Sequence, residues 1–549
     1  MTYTHPYLPP DLPRSPRRQI RTDSILGGIS RYSDPERLTV EEMRNMSPSA
    51  YPALTTRHPR SCCHVGEPSI GSAHGMTVFR GNIYHVKKST LFELTPGVSE
   101  RRLCSVSETK KTFVPFGDRL LILPDKLCYF PDRDEIVHME IDTGVIPGAK
   151  FTYAGAYLPE GMEWTDLGFQ PGDAIIVEEM DGDTVIASDA YRINSLIGRQ
   201  GVFEGLPQQD RLGTFRFRRH IPSGTCFCTL GDGKRLAACE GDNVYLCEEN
   251  NPFNWQCPTA GRPGAGAVSL RAACTGDFTA CAVWQRQAIF FKENAICRLT
   301  GYDADTFALA EQCGVPGVPN SMNGSLCECD GALYYCTYAG VFRYDGACPV
   351  LVSSLPHELT DMTQVCGGSD LLHYHLVVRE GNYDVWHFVY TPVHDAWYVE
   401  DPYEMVAMAY HDGFLYMQDT YAYVWAVSPL GRHHVGARTE QETRGRVRSA
   451  VTFRSERPGD PCGFRLHRLA LRVSSKDADG SMTVRVQLDQ GDGRYVEGTD
   501  VATVSGWMSD RLLQVPVPGT RCYGYRILLS MQGRWTIHSV TREIEVGEQ

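Results

Sequence analysis

Twenty cysteines and seventeen histidines carry most of the chemical potential of this chain, and their spacing decides what they can do. Cys62 and Cys63 are adjacent, while Cys226/Cys228 and Cys327/Cys329 stand one residue apart, which on a strand puts both thiols on one face. Structural zinc asks for cysteines two to four residues apart with a matching second pair, and neither requirement is met. These cysteines read as small apolar fillers of a β core, mostly reduced and buried, in a chain too long to need disulfide staples. His373 and His375 share a strand face and His387 follows on the next strand. Without a carboxylate at supporting spacing they read as satisfied strand histidines rather than metal ligands. His433-His434, beside Arg432, reads as a solvated turn. There is no G-x-S-x-G elbow, P-loop or H-E-x-x-H, so no catalytic residue, metal or cofactor is expected. Asn323-Gly-Ser325 matches a glycosylation sequon but, without a secretion signal, reads as a turn.

The elements that must position these residues are short strands. Gly 52, Pro 33, Tyr 27 and Trp 8 suit strands joined by tight turns, and 42% hydrophobic with 22% charged residues suits a folded chain with an ample core. The net charge of −13 disfavours a DNA reader, because Lys and Arg carry phosphate affinity; in a conduit for DNA the same sign prevents sticking. Met1 to Pro13 lacks the apolar core of a signal peptide, and no stretch approaches the roughly 18 apolar residues of a membrane span. A cytoplasmic start is expected.

From about residue 70 a diverged unit recurs, a Gly or Asp turn followed by a strand, a second turn and a second strand. It begins at Phe79-Arg-Gly-Asn, Phe116-Gly-Asp, Gly231-Asp-Gly, Ala288-Ile-Phe-Phe, Asp330-Gly-Ala, Tyr383-Asp-Val and Asp412-Gly-Phe. Hairpin pairs of this length cannot bury their faces alone, and radial stacking solves the problem as a β-propeller. The expected fold is all-β: a six- or seven-bladed β-propeller with an inserted β domain and a C-terminal β-sandwich. The expected divisions are an extended N-terminal arm and docking segment at 1–69, first blades at 70–140, the insert at 141–222, remaining blades at 223–440 and the sandwich at 441–549. Within the first division the basic cluster Arg14, Arg17, Arg18 and Arg21 reads as an extended arm. A short helix is expected near Thr39, with Glu42 three residues on as in a capping box. Propeller glycosidases carry Asp-boxes. The nearest approach here, Ser475-Lys-Asp-Ala-Asp-Gly480, occurs once, outside the repeats, and reads as a polar hairpin turn.

The ordered run Gly27-Gly28-Ile29, Asp34-Pro35, Glu42-Met43-Arg44-Asn45-Met46, Tyr51-Pro52-Ala53-Leu54 and Arg57 resembles the N-terminal signature of phage tail hub, nozzle or "stabilisation" proteins. Asn251-Pro-Phe-Asn-Trp255 and Gly533-Arg-Trp-Thr-Ile537 are similar to later motifs of that family. The resemblance implies a structural, non-enzymatic tail component. It implies a homo-oligomeric ring, commonly a hexamer, docked to portal, adaptor and other tail proteins around the DNA-ejection channel of a virion assembled in the host cytoplasm. It makes Gly27, Gly28, Ile29, Met43, Asn45, Tyr51, Pro52 and Arg57 the candidate docking residues. A tail-associated propeller that binds or cleaves glycans is the alternative.

Overall fold

The computed structural model describes residues 17–30, 32, 34, 36–64, 72–205, 210–256, 264–353, 362–381, 384–441, 446–456, 463–491, 493–517 and 519–546. Its strands arrange as a seven-bladed propeller. Six blades are four-stranded antiparallel meanders in chain order, at residues 73–105, 112–138, 226–271, 278–313, 327–353 and 362–399. The seventh takes three strands from residues 405–427 and its fourth, Ser61–Cys62, from the chain's N-terminal part, where Cys62 pairs with Trp425 and Ser61 with Ala426. The first strands of neighbouring blades touch around the ring, the seventh against the first; between the fourth and fifth blades the contact runs through the 3-10 turn Asn320–Ser325. Closure with a strand from the far end of the sequence locks the ring and so covers the blade faces that an open stack would expose, leaving only the short outer edges. The seven sequence units fall one to a blade.

Each blade is sandwiched between neighbours, so its middle strands are apolar on both faces. Ala332–Thr337, ALYYCT, is buried at every position. Tyr335 packs with Phe291 towards the fourth blade, and Tyr334 stacks on Tyr374 towards the sixth. Core clusters accordingly lie between blades rather than within them.

Residues 141–219 form a closed six-stranded barrel between the second and third blades, filled by Phe151, Trp164, Phe203, Phe215 and Phe217. Asn254, fully buried in the loop of the third blade, holds it by accepting the Ala174 N–H at 2.6 Å and donating to the Gly172 carbonyl at 2.9 Å.

Strands from 448–546 form the sandwich, but it is not built from the C-terminal part alone. Arg17–Asp23 pairs with Trp535–Val546 along its edge, and Leu38–Arg44 pairs with Arg448–Phe453. Leu26, Leu38, Val40, Met43, Met46 and Leu54 belong to the sandwich core. Of the basic arm, Arg17, Arg18 and Arg21 lie in a strand laid against the sandwich, and the docking segment that follows finds its apolar partners some four hundred positions away; Arg14 lies outside the described residues. The helix expected near Thr39 is strand Leu38–Arg44. A register shift between Val40 and Glu42 lets Val40 and Met43 share the core face, so a β-bulge produces the three-residue spacing that looks helical.

Propeller and sandwich share one sheet. The fourth strand of the sixth blade, Ala396–Val399, pairs with Leu26–Ile29, which pairs with Leu38–Arg44 and so continues into the sandwich.

Candidate functional site

At this junction the sequence-predicted docking residues lie together with a group of buried charges. Gly27, Gly28, Met43, Asn45 and Arg57 are buried, Ile29 and Tyr51 half-buried, and Pro52 alone of the eight is exposed. Gly28 passes so close to the Trp397 backbone that a Cβ would overlap its carbonyl. Tyr51 stacks on His394, ring centroids 3.8 Å apart.

Arg57 enters from the segment before the propeller and is 3% exposed. It donates to Glu440 through both terminal nitrogens at 2.8 Å, to Asp401 at 2.5 Å, and through Nε to the Asn45 side-chain oxygen at 2.7 Å. Asn45 in turn donates to Asp401 at 2.7 Å and to the Arg448 carbonyl of the sandwich at 2.8 Å. Its positive φ of 57° turns the chain at this point, a conformation asparagine tolerates better than most residues. Arg60, 1% exposed, donates to Glu400 at 2.6 Å, and its backbone exchanges hydrogen bonds with Glu440.

From Glu400 the polar contacts run on into the sixth blade. His387 Nδ1 is 3.9 Å from the carboxylate, His387 Nε2 is 3.2 Å from His375 Nδ1, and Asp370 faces His375 at 3.7 Å and His373 at 2.8 Å. The three histidines singled out in sequence do come together, and Asp370 is the carboxylate whose proximity spacing did not reveal. Asp370 also accepts the N–H groups of Leu372 and His373, as a turn-forming aspartate does.

Burial opposes every charge here, and the partners decide the outcome. For Arg57 desolvation is outweighed by Glu440, Glu400 and Asp401, and its pKa rises. For Glu400 desolvation is outweighed by Arg60, His387 and Arg57, holding the carboxyl well below its usual range; Asp401 and Glu440 are lowered by Arg57 and Arg60 against the same penalty. His387 is pushed down to about 3 by burial, against Glu400's opposing pull and with Arg60 adding to the depression, so it is neutral at pH 7. Ion-paired and shielded from solvent, Arg57, Arg60, Glu400, Asp401 and Glu440 form a buried clasp, in which Arg60 Nε and Nη1 have no hydrogen-bond partner among the described residues.

A second cluster sits where the seventh blade meets the first. Lys87 pairs with Glu100, which also faces His85 at 3.3 Å, and His64 accepts the Val424 N–H at 3.1 Å beside the closing strand. His433-His434 lies in a loop, His433 exposed and His434 half-buried: Ser61 Oγ lies 3.0 Å from His433 Nδ1 and accepts the His434 N–H, while His434 packs on Phe414. The Ser475 to Gly480 segment is a turn whose Asp477 accepts the Arg534 N–H at 2.8 Å. The paired cysteines are buried or half-buried, Cys62 and Cys63 in the closing strand region and the others on first strands of blades.

No family model and no curated protein matches the chain. Among solved structures it is similar to a catalytically inactive virginiamycin B lyase from Staphylococcus aureus, at 8% identity over 66% of this chain and 97% of that one, TM-score 0.35. BamB from Moraxella catarrhalis follows at 8% identity over 71% and 95%, TM-score 0.32, and the computationally designed Ika8 protein at 12% over 67% and 99%, TM-score 0.34. Similarity at this level does not bear on function; the propeller stands on this chain's own strand order and pairing.

Proposed function

We propose that this chain is a structural, non-enzymatic subunit of a bacteriophage tail, a hub or nozzle whose copies form a ring around the path of DNA ejection. The observation that carries the reading is the segment from Gly27 to Arg57. It resembles the N-terminal signature of those proteins, and its Leu26–Ile29 strand and Arg57 join propeller to sandwich through a shared sheet and a buried ionic clasp. Such a junction makes the two modules one stiff wedge, and identical wedges meeting head to tail close into a ring. Because most of the signature residues are buried within the chain, they act by holding this frame. The surfaces that meet the portal, the adaptor and neighbouring copies are then outer ones, such as the barrel wall with its largely exposed Tyr153, Ile186, Ile197 and Leu212. The net charge of −13 fits passage of DNA without specific binding.

Electron microscopy and sizing of the purified protein test the reading. Rings with an axial channel, six copies being the favoured number, are the expected result. A monomer that persists at high concentration and cleaves or retains a polysaccharide would replace it with a glycan-directed propeller.

A further inference from the structure

Outside the clasp, Cys274, Cys297 and Glu311 combine ligand chemistry with converging geometry. Cys297, in strand Ala295–Thr300 of the fourth blade, stands directly opposite Glu311 in strand Ala308–Cys313. Cys274 reaches the same point from the loop that leads out of the third blade, and one ligand atom from each residue lies within 4.8 Å of the other two. The Sγ atoms of Cys274 and Cys297 are 3.7 Å apart. That is the edge of a tetrahedron whose centre makes metal–sulfur bonds of about 2.3 Å, giving an edge of roughly 3.8 Å.

Two further features suit a cation. Glu311 is aimed rather than free: its two oxygens accept the N–H groups of Ala273 and Cys274, each at 2.8 Å, which fixes the carboxylate beside the thiols and leaves lone pairs on both oxygens. Lys292 is fully buried and donates to the Cys274 carbonyl at 2.6 Å. Two thiolates, one carboxylate and this ammonium sum to two negative charges, which a divalent cation neutralises. Cys274 also lines a cleft of about 740 Å³ between the third and fourth blades, with Cys313 on its wall, so water can reach the site.

We propose that Cys274, Cys297 and Glu311 bind one thiophilic divalent cation of the zinc class, with a cleft water as fourth ligand, stapling the loop of the third blade to the outer strands of the fourth. Thiolate donors select such ions over magnesium or calcium. Binding forms two metal–sulfur bonds and one metal–oxygen bond and releases the two thiol protons to solvent, with no change of oxidation state. Burial pushes both thiols up, Cys274 to about 11 with help from Glu311, so both are protonated before the metal arrives and uptake tightens as pH rises.

The test uses the reduced full-length protein titrated with cobalt(II). One equivalent is expected to produce thiolate-to-cobalt charge-transfer absorption and to release two protons, and zinc should abolish the absorption by displacement. Cys274→Ser, at a half-exposed position, should remove the absorption. Glu311→Gln should weaken binding at least tenfold, and Cys336→Ser, a buried cysteine of the fifth blade, should leave it intact. Absence of the absorption in the reduced protein would overturn the proposal. So would its persistence in Cys274→Ser, which would assign the metal to Cys226, Cys239 and Cys281, whose thiols hydrogen-bond one another between the third and fourth blades, and so would a Cys274–Cys297 disulfide in the isolated protein, seen as a loss of two hydrogens in mass.

Discussion

Arg57 grips Glu440 through two parallel N–H···O bonds of 2.8 Å, and neither side chain meets solvent. One residue precedes the propeller in sequence and the other follows its seventh blade, so the pair ties together the two ends of the ring. Asp401 and Asn45 complete the contact towards the sixth blade and the sandwich. A guanidinium suits the position because its planar fork meets one carboxylate with two donors and still reaches two further partners.

Arg57→Ala leaves Glu440 and Asp401 buried without their cation, and removing one partner of a buried pair typically costs about 3–5 kcal/mol. Arg57→Lys keeps the charge but loses the fork, and is expected to be destabilised as well. Thermal and guanidinium unfolding of both variants measure the effect. A midpoint for Arg57→Ala equal to that of the parent protein would show that the clasp contributes nothing to stability.

Acid sensitivity should set in above the carboxylate range. Burial depresses His387 to about 3 and His64 to about 4, from an ordinary value near 6.5. Below about pH 6.5 the unfolded chain takes up these protons and the native protein does not, so stability falls as pH drops, by about 1.4 kcal/mol per unit for each histidine until its folded pKa is reached. Glu400, Asp401 and Glu440 are depressed as well. Their contribution is complete above the unfolded carboxylate values near 4 and disappears only as pH falls through their lower folded ones. Two regimes are expected in a plot of melting temperature against pH, and His387→Gln should flatten the upper one between pH 6.5 and 4. An unaltered slope in that variant would show that His387 titrates freely in the fold.

The propeller was legible because most blades repeat a local device, an Asp or Gly turn between strands of buried residues, and Asp330-Gly331 or Asp412-Gly413 announces it within a few positions. The junction was not legible, because its logic is entirely long-range. Ile29 pairs with Trp397 and Val40 with Phe453, and nothing near Leu26 or Val40 in sequence shows that those partners exist. Glu400, Asp401 and Glu440 look like ordinary surface carboxylates until Arg57 and Arg60 are brought against them. The Cys274, Cys297 and Glu311 group was invisible for a related reason. Its members come from a loop and two strands, and only the cross-strand register puts Cys297 opposite Glu311.

Gly28 should be irreplaceable. Its φ is ordinary, so the requirement is steric: a methyl group would sit inside the Trp397 carbonyl, which is backbone and cannot swing away. Gly28→Ala is expected to separate Leu26–Ile29 from the sixth blade at a cost of several kcal/mol, whereas Gly81→Ala, in an open turn with nothing within 4 Å, should cost only the strain of its positive φ. Comparing the melting temperatures of the two variants decides the matter. Equal losses would mean that the shared sheet is not what Gly28 protects.

Ring closure should depend on the two-residue strand Ser61–Cys62. Cys62 has no exposed surface and pairs with Trp425 on one side and Arg438 on the other, so the outer part of the seventh blade is assembled around it. Proline at this position has no N–H to donate; because Cys63 is the donor to the Val424 carbonyl, the loss falls on the Arg438–Thr439 side and loosens the closing strand. The first and seventh blades meet through their inner strands, and Lys87, Glu100 and His64 lie at the same seam. Opening should therefore spread to the first blade before it reaches the fourth, the one farthest around the ring. Hydrogen exchange on Cys62→Pro measures this directly: amides in 405–427 and 73–105 should lose protection while those in 278–313 keep it. Uniform loss of protection in all seven blades would instead make the propeller a single cooperative unit with no seam.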